Sequence, residues 1–161
     1  MRYVQLATPI ISKLLGGRTV TVEGDENAVC KTLDMACGID YLQVHDNGLI
    51  VGIASRFQDY PNMRTFTVRS ERESGARTEL SKRKEAIKYG FLYPALTMQG
   101  YVQKGEIVGL GITNTRQLLW FVEQGFAKPQ HTGEDQKGQA AFLVCRWDDM
   151  RKHGIKVLEW P

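Results

Sequence analysis

The sequence is poor in cysteine and has no long apolar run. Its three cysteines, Cys30, Cys37 and Cys145, form no Cys-x-x-Cys pair, which argues against a disulfide scaffold and against a zinc ribbon. No stretch approaches the roughly 18 apolar residues of a membrane-spanning helix, and the first residues lack the small-residue cleavage site of a signal peptide. We therefore expect free thiols in a reducing compartment, a cytoplasmic location and no membrane partner.

The glycine motifs of nucleotide-binding loops are incomplete. Gly16-Gly17-Arg18-Thr19 lacks the lysine and the spacing of a P-loop, and Gly109-Leu110-Gly111 lacks the third glycine of a dinucleotide fingerprint. We interpret the second pair as positions of close strand packing. The length of 161 residues, with 42% hydrophobic and 24% charged residues, predicts one domain over 1–161 with a packed core.

Positive charge is concentrated in one segment. Residues 64–88 hold eight Lys or Arg against four Asp or Glu, whereas the remainder of the chain is almost neutral in a protein of net charge +3. A basic segment on a near-neutral body predicts a polyanionic partner, here nucleic acid and DNA in the first instance. The candidate phosphate contacts are Arg69, Arg72, Arg77, Lys82 and Arg83. The alternative is a solvated helix with Glu/Lys pairs at helical spacing.

Hydrophobic periodicity predicts helices between groups of strands, in the order α-β-α-βββ-α-β-β-α-β-α-β. Asp46-Asn47-Gly48 is a hairpin signal. We expect three helices in the first part of the chain: from Thr8-Pro9 to Leu15, over 26–37, and over 76–89 after Ser74-Gly75. The second should be capped by Asp25 and should have an inner face formed by Ala28, Val29, Leu33 and Ala36. The strands 39–45, 49–58 and 64–70 should form an antiparallel meander. The fold class is α+β, a mixed central sheet with flanking helices. The polar segment 127–139 is predicted to be a loop without an assigned role.

A candidate catalytic constellation follows from the hairpin. Asp40 opens an apolar strand, where a carboxylate is costly to bury unless it is paired or binds a metal. Arg56 and Gln58 share one face of the next strand, because strand side chains alternate. Antiparallel pairing would bring Asp40, Arg56 and Gln58 to one sheet edge, an arrangement suited to phosphodiester chemistry with Mg²⁺. A structural Asp40–Arg56 ion pair is the alternative.

The strings GIDYLQ, GIASRFQ, TFTVR, SGARTELSKRKEAI and LYPALTMQGYV resemble a family of small proteins of phages and integrative elements. The order of elements over about 26–103 also resembles the αβββαβ core of the PD-(D/E)XK (restriction endonuclease-like) superfamily, with 104–161 as a C-terminal extension. Asp40 matches the first acid of that motif. Arg56 stands where lysine is expected, and Ala54 stands where the second acid is expected.

This resemblance implies a nuclease that uses Mg²⁺ or Mn²⁺ and acts on DNA. Asp40 and Asp34 would bind the metal, Glu79 would supply the displaced acid, with Glu23 as another candidate, and Arg56 with Gln58 would steady phosphate and water. Because Arg56 is always charged, it cannot serve as the base that a lysine could be. Two alternatives stay open: a non-catalytic DNA-binding accessory of recombination or replication, and a phage protein that acts on a host or phage protein. A homodimer is compatible with each.

Overall fold

The structure is a computed structural model that describes residues 2–59, 64–72, 76–131 and 140–161, with the backbone alone for Arg2, Glu71, Arg72, His131 and Ala140. The helices are α1 (Arg2–Leu15), α2 (Ala28–Thr32) with a π-helical turn (Leu33–Cys37), α3 (Glu79–Tyr89), α4 (Thr115–Glu123) and α5 (Trp147–Lys152). The strands are β1 (Arg18–Thr21), β2 (Tyr41–Val44), β3 (Ile50–Asp59), β4 (Thr65–Arg72), β5 (Leu96–Gln103), β6 (Glu106–Asn114), β7 (Lys128–His131), β8 (Ala140–Arg146) and β9 (Val157–Trp160).

Two sheets form the framework. The first has six strands in the order β1-β2-β3-β5-β6-β9, and the second has three in the order β4-β8-β7. Strands β3 and β5 run parallel, and the other pairs are antiparallel. The expected α+β class with a mixed central sheet and flanking helices is confirmed. Residues 104–161 supply β6 and β9 to the first sheet and β7 and β8 to the second.

The six-stranded sheet carries a hydrophobic cluster on each face. On one face α1 packs against buried residues that include Tyr41, Ile53, Met98 and Leu110. On the other face the second sheet, α4 and α5 enclose a cluster whose largest members are Phe66, Tyr101, Phe121 and Trp147. Consecutive residues of one strand serve opposite clusters, because strand side chains alternate between the two faces.

The predicted meander is correct for two of its three strands. The hairpin of β2 and β3 forms around Asp46-Asn47-Gly48, where Gly48 adopts a φ of 85°. The prediction that the third strand, β4, pairs with β3 is wrong, because β5 occupies that edge of β3 in parallel register from Ile53↔Leu96 onward. The succession helix, three strands, helix, strand is therefore present, but β4 pairs with β8 in the second sheet.

Helix boundaries required several corrections. Helix α1 begins at Arg2, so Pro9 lies inside it and Thr8 is not its cap. Asn27, not Asp25, caps α2 by accepting a hydrogen bond from the Val29 amide. The expected inner face of this helix is wrong, since Val29 is 66% exposed and Ala28 and Ala36 are also exposed.

Three other local predictions have definite outcomes. Thr78 caps α3, whereas the predicted start at Ser74-Gly75 lies outside the described residues. Lys128–His131 of the expected polar loop form strand β7, and 132–139 lie outside the described residues. The three cysteines are free, as expected, and burial raises the pKa of the Cys145 thiol to about 12. No helix in the described ranges is long and apolar enough to cross a membrane.

Candidate functional site

Asp40 is held immediately before β2 by main-chain hydrogen bonds. Its amide donates to the Ile53 carbonyl at 2.9 Å, and its carbonyl accepts from the Val22 amide at 2.8 Å. Its carboxylate accepts from both the amide and the hydroxyl of Ser55, the latter at 2.9 Å. Asp40 thus lies in the hairpin as expected, but its carboxylate bonds to Ser55, whose side chain is on the face of β3 opposite to Arg56 and Gln58. The predicted convergence of Asp40, Arg56 and Gln58 is therefore wrong.

The environment of Asp40 disfavours its charge. Burial is the main cause that raises the pKa of Asp40 to about 6, and the negative charges of Glu23 and Asp34 act in the same direction. The two hydrogen bonds from Ser55 act in the opposite direction. Asp40 is thus electrostatically coupled to Asp34, its predicted partner in metal binding.

Arg56 and Glu79 meet, as members of one predicted site should. Arg56 Nη2 lies 3.0 Å from Glu79 Oε2, and Arg83 Nη2 lies 2.5 Å from Glu79 Oε1. The Arg56 guanidinium also lies over the Phe142 ring, 5.3 Å from its centroid. Glu79 therefore bridges a strand cation and a helix cation, and the Asp40–Arg56 ion pair is not among the ion pairs of the described residues.

The prediction that Arg83 contacts phosphate at the protein surface is wrong. It is only 6% exposed, because its spacing of four residues from Glu79 on α3 turns both side chains toward Arg56. Its Nη1 atom is buried and has no hydrogen-bond partner among the described residues. Arg83 consequently belongs to the interior of the site.

Gln58 has a different neighbour from the one expected. Gln58 lies beside Tyr101, its register partner in β5, and the Tyr101 hydroxyl donates to the Thr65 carbonyl at 2.8 Å. Burial raises the pKa of Tyr101. Gln58 thus lies in the layer between the two sheets, next to a buried tyrosine.

A polar pocket brings together some residues of the predicted site, but Asp40, Arg56 and Gln58 are not among its lining. This pocket, of about 160 Å³, lies between the π-helical turn and α3. Its charged lining consists of Asp34, Arg77, Glu79, Lys82 and Arg83. Three cations against two carboxylates leave it formally positive, which suits an anionic ligand.

The polar pocket continues into an apolar groove of about 440 Å³. The apolar lining comprises Met35, Ala36, Cys37, Ala86, Phe91 and Leu92. Both cavities share Met35, Cys37, Arg77 and Lys82. A charged compartment and an apolar compartment are therefore adjacent on the same side of α3.

On its other side α3 faces α4 across a third concavity of about 280 Å³, which we call the α3–α4 cleft. It is lined by Lys84, Lys88, Arg116 and Trp120, among others, and Glu123 forms an ion pair with Lys84 at 3.4 Å. The sequence reasoning missed Arg116 and Trp120. Their spacing of four residues, on one side of a helix whose apolar residues are buried, is the signal that could have indicated them.

The remaining predicted phosphate contacts divide. Arg77 is exposed and forms an ion pair with Glu85. Arg69 lies on β4 with its guanidinium 5.2 Å from the centroid of the Phe142 ring. The Arg72 side chain lies outside the described part of the structure. Arg77 and Lys82 are consequently the members of the predicted set that line both cavities on this side of α3.

The donor set meets only a minimal requirement for a metal. Within the described ranges, no group of three or more His, Cys, Asp or Glu side chains could hold an ion. Mg²⁺, however, is commonly bound through one or two carboxylates, with water and substrate phosphate as the other ligands. Asp40 and Asp34 are two such carboxylates, but Asp34 lines the polar pocket, whereas Asp40 does not and bonds to Ser55.

No protein-family model matches the sequence, and the searches of curated proteins and of solved structures found no match. Fold and site are therefore interpreted from this chain alone. They define an α+β protein in which a cationic helix, α3, separates two concave surfaces.

Proposed function

We propose that this protein binds nucleic acid, and DNA in the first instance, across α3 and the concave surfaces on its two sides. The observation that carries the proposal is the distribution of cations: Arg77 and Lys82 on one side, and Lys84, Lys88 and Arg116 on the other. A single helix with cations toward both flanks can contact successive phosphates of a strand that crosses it. Each such contact releases condensed counterions, which supplies sequence-independent affinity.

The acids near these cations are weak competitors for them. Arg77 pairs with Glu85 and Lys84 pairs with Glu123, and all four side chains are at least 38% exposed. Exposed ion pairs of this kind are worth about 0–1 kcal/mol, so a phosphate can displace the carboxylate at little cost. Arg56 and Arg83 are not counted among these cations, because both already pair with Glu79 and Arg83 is buried.

The test is fluorescence anisotropy of labelled DNA across a salt series. Lys82→Glu and Lys88→Glu should each weaken binding about tenfold at low salt and flatten the dependence on salt concentration. Lys13→Glu is the matched control, since it makes the same charge change on exposed α1, at the opposite face of the six-stranded sheet. Equal losses in all three variants would indicate a net-charge effect and contradict the assignment.

The absence of any affinity at low salt would refute the proposal. In that case the hypothesis of a phage protein that acts on a host or phage protein, or on a second copy of itself, would be favoured instead. RNA of the same sequence and length should be titrated in parallel, because the proposed phosphate contacts do not distinguish the two sugars.

Metal-dependent phosphodiester hydrolysis, as in PD-(D/E)XK proteins of phages and integrative elements, is a second candidate. It is favoured by Asp40, whose pKa is raised to about 6 while Glu23 and Asp34 add negative charge around it. Asp40 and Asp34 would hold Mg²⁺ or Mn²⁺, which when bound would activate water and stabilise charge on the phosphate. Arg56 would have to exchange its ion pair with Glu79, which lines the polar pocket, for a phosphate in order to orient that phosphate.

Two measurements test hydrolysis. Plasmid and single-stranded DNA are incubated with Mg²⁺ or Mn²⁺ and with EDTA, and Asp40→Asn should abolish any metal-dependent cutting. Independently, Mn²⁺ should raise the melting temperature of the wild type and not of Asp40→Asn, with Asp46→Asn in the hairpin turn as control. If neither cutting nor a thermal shift is observed, this candidate is eliminated, and the proposal of DNA binding is unaffected.

A further inference from the structure

The apolar groove exposes an unusual amount of large hydrophobic side chain. Met35 is 76% exposed, Phe91 is 61% exposed and Leu92 is 59% exposed, and all three line the same concavity. Single exposed apolar residues need no explanation, but a contiguous exposed patch in a concave surface is typical of a binding site. The groove is therefore a place where a ligand would cover apolar surface.

We infer that the apolar groove accepts an unpaired nucleobase, so that the protein selects single-stranded nucleic acid. The inference rests on the proposed nucleic-acid binding and adds the form of the substrate. It assigns the groove to the base and the cations at its margin to the flanking phosphates.

Charge complementarity identifies this occupant. Arg77 and Lys82 line the apolar groove and also the polar pocket, and Glu85 is the acid that accompanies them. A ligand that is anionic along its backbone and apolar in its side groups fits such alternation. An apolar peptide would cover the groove but would offer no negative charge to the cations of the adjoining pocket.

One exposed aromatic ring, that of Phe91, lines the groove, and the Tyr89 ring lies beside it. The Phe91 ring lies 5.9 Å from the Tyr89 ring between centroids, at an interplanar angle of 36°, and Tyr89 is 58% exposed. Lys88 Nζ lies 5.2 Å from the centroid of the Tyr89 ring, which links this pair to the α3–α4 cleft that Lys88 also lines. Bases stack on such rings irrespective of sequence, because each base has a π-face.

The selection for single strands follows from the position of the apolar surface. In a duplex the base faces are stacked inside the helix, and only an unpaired base, or one that is rotated out of the stack, can present its face to a protein. Duplex DNA could use the cations of α3 but not the apolar groove. The structure thus predicts two separable contributions, one from phosphates and one from bases.

The experiment compares four probes in one anisotropy assay at fixed salt: a single-stranded oligonucleotide, its duplex, an abasic single strand and the duplex of a second sequence. The wild type should bind the single strand about tenfold more tightly than the duplex or the abasic strand. Phe91→Ala and Leu92→Ala should remove most of this preference and leave the affinity for duplex and abasic strands unchanged.

Leu49→Ala is the matched control for Leu92→Ala, because Leu49 is 54% exposed and lies in the β2–β3 hairpin. Circular dichroism confirms that the variants are folded. If the single strand, the duplex and the abasic strand bind equally, or if Phe91→Ala and Leu92→Ala leave a preference for the single strand unchanged, the inference is overturned while nucleic-acid binding stands. If no probe binds, the proposed function fails first, and the inference fails with it.

Discussion

The two faces of the six-stranded sheet are stabilised in different ways. Toward α1 the layer is mainly apolar, with Tyr41, Ile53 and Leu110, and its buried polar groups are satisfied. The Tyr41 hydroxyl donates to the Val4 carbonyl at 3.0 Å, and the Gln43 side chain bonds to Thr19 and to the Gly16 carbonyl. Toward the second sheet, Arg56 and Gln99 introduce charge and amide groups into the layer. An apolar layer needs only shape, whereas a buried polar layer needs every group to find a partner.

The polar face is incompletely satisfied, and the candidate site begins there. Gln99 Oε1 accepts from the Thr67 amide at 3.0 Å, but Gln99 Nε2 and Trp147 Nε1 are buried without a partner in the described part of the chain. The same polar layer continues from Arg56 through Glu79 to Arg83 and the polar pocket. The face of the sheet that holds buried polar atoms without a partner in the described part of the chain is thus the face that leads to α3.

The largest expected effect is on the apolar face. Leu110→Ala, at a residue that is 0% exposed, should lower the free energy of unfolding by about 2–5 kcal/mol through lost burial and a residual cavity. Urea denaturation measures it. Leu49→Ala at an exposed position is the control and should change stability by less than about 0.5 kcal/mol. A loss below 1 kcal/mol at Leu110 would mean that this face is not the main source of stability.

On the polar face, pairing should matter more than the presence of charge. Glu79→Ala leaves the buried Arg83 unpaired and should cost about 2–4 kcal/mol, somewhat less than a fully buried pair because Glu79 is partly exposed. Glu79→Ala with Arg83→Met should recover at least half of that loss, since the charge that stays unpaired is then Arg56, which is 29% exposed, and no longer the buried Arg83. Glu85→Ala, in the exposed pair with Arg77, is the control. Failure of the double variant to recover stability would contradict this account.

A substitution at Gly111, the residue next to Leu110 in β6, should have an intermediate effect on the free energy of unfolding. A Cβ at Gly111 would overlap the ring of Trp147, which is 1% exposed. Gly111→Ala should therefore lower the free energy of unfolding by about 1–3 kcal/mol through overpacking. Gly109→Ala is the matched control, because a Cβ there would meet Tyr101 at 3.6 Å, an ordinary contact distance. Equal losses at both positions would refute a specific role for the tryptophan.

The smallest effect concerns Asp40 and depends on pH. Its folded-state pKa of about 6 lies above the ordinary value of 3.8, so between these values the folded protein binds the proton more tightly than the unfolded chain. The free energy of unfolding should therefore fall as pH rises from about 4 to 6, and the loss should persist above that range. Asp40→Asn should be about 2 kcal/mol more stable than the wild type at pH 7.5 and about equal to it at pH 4.

Stability curves of the two proteins against pH, from urea denaturation, provide the measurement. Asp46→Asn controls for the removal of one negative charge. Parallel curves for the wild type and Asp40→Asn would show that the pKa of Asp40 is not raised. Loss of the difference on addition of Mn²⁺ would instead support metal binding by Asp40.

Part of the candidate site was accessible from the sequence. Asp40 at the hairpin and the concentration of charge on α3 follow from local patterns, and Glu79, Arg77 and Lys82 do line one pocket with Asp34. The contact that the pattern suggested for Asp40 was replaced by Ser55, a neighbour in the paired strand. Strand alternation assigns a face, but it does not determine which hydrogen bond a carboxylate makes at the end of a strand.

The sequence by itself determined many of the local elements, because they depend on interactions within a few residues, although the start of α1 and the cap of α2 were predicted wrongly. Asn114 caps α4, Gly90 ends α3 in the left-handed conformation, and Gly48 closes the hairpin. Only the tertiary structure decided that β4 pairs with β8, since β5, about 40 residues after β3, and not β4 occupies the edge of β3.

The tertiary structure likewise placed Met35 beside Phe91 and Leu92, and Arg116 and Trp120 beside Lys84 and Lys88. Each grouping joins two segments that are far apart in the chain, so no local pattern indicates that they meet. What brings them together is the burial of the apolar faces of the sheets and helices, which is a property of the whole fold and not of any one segment.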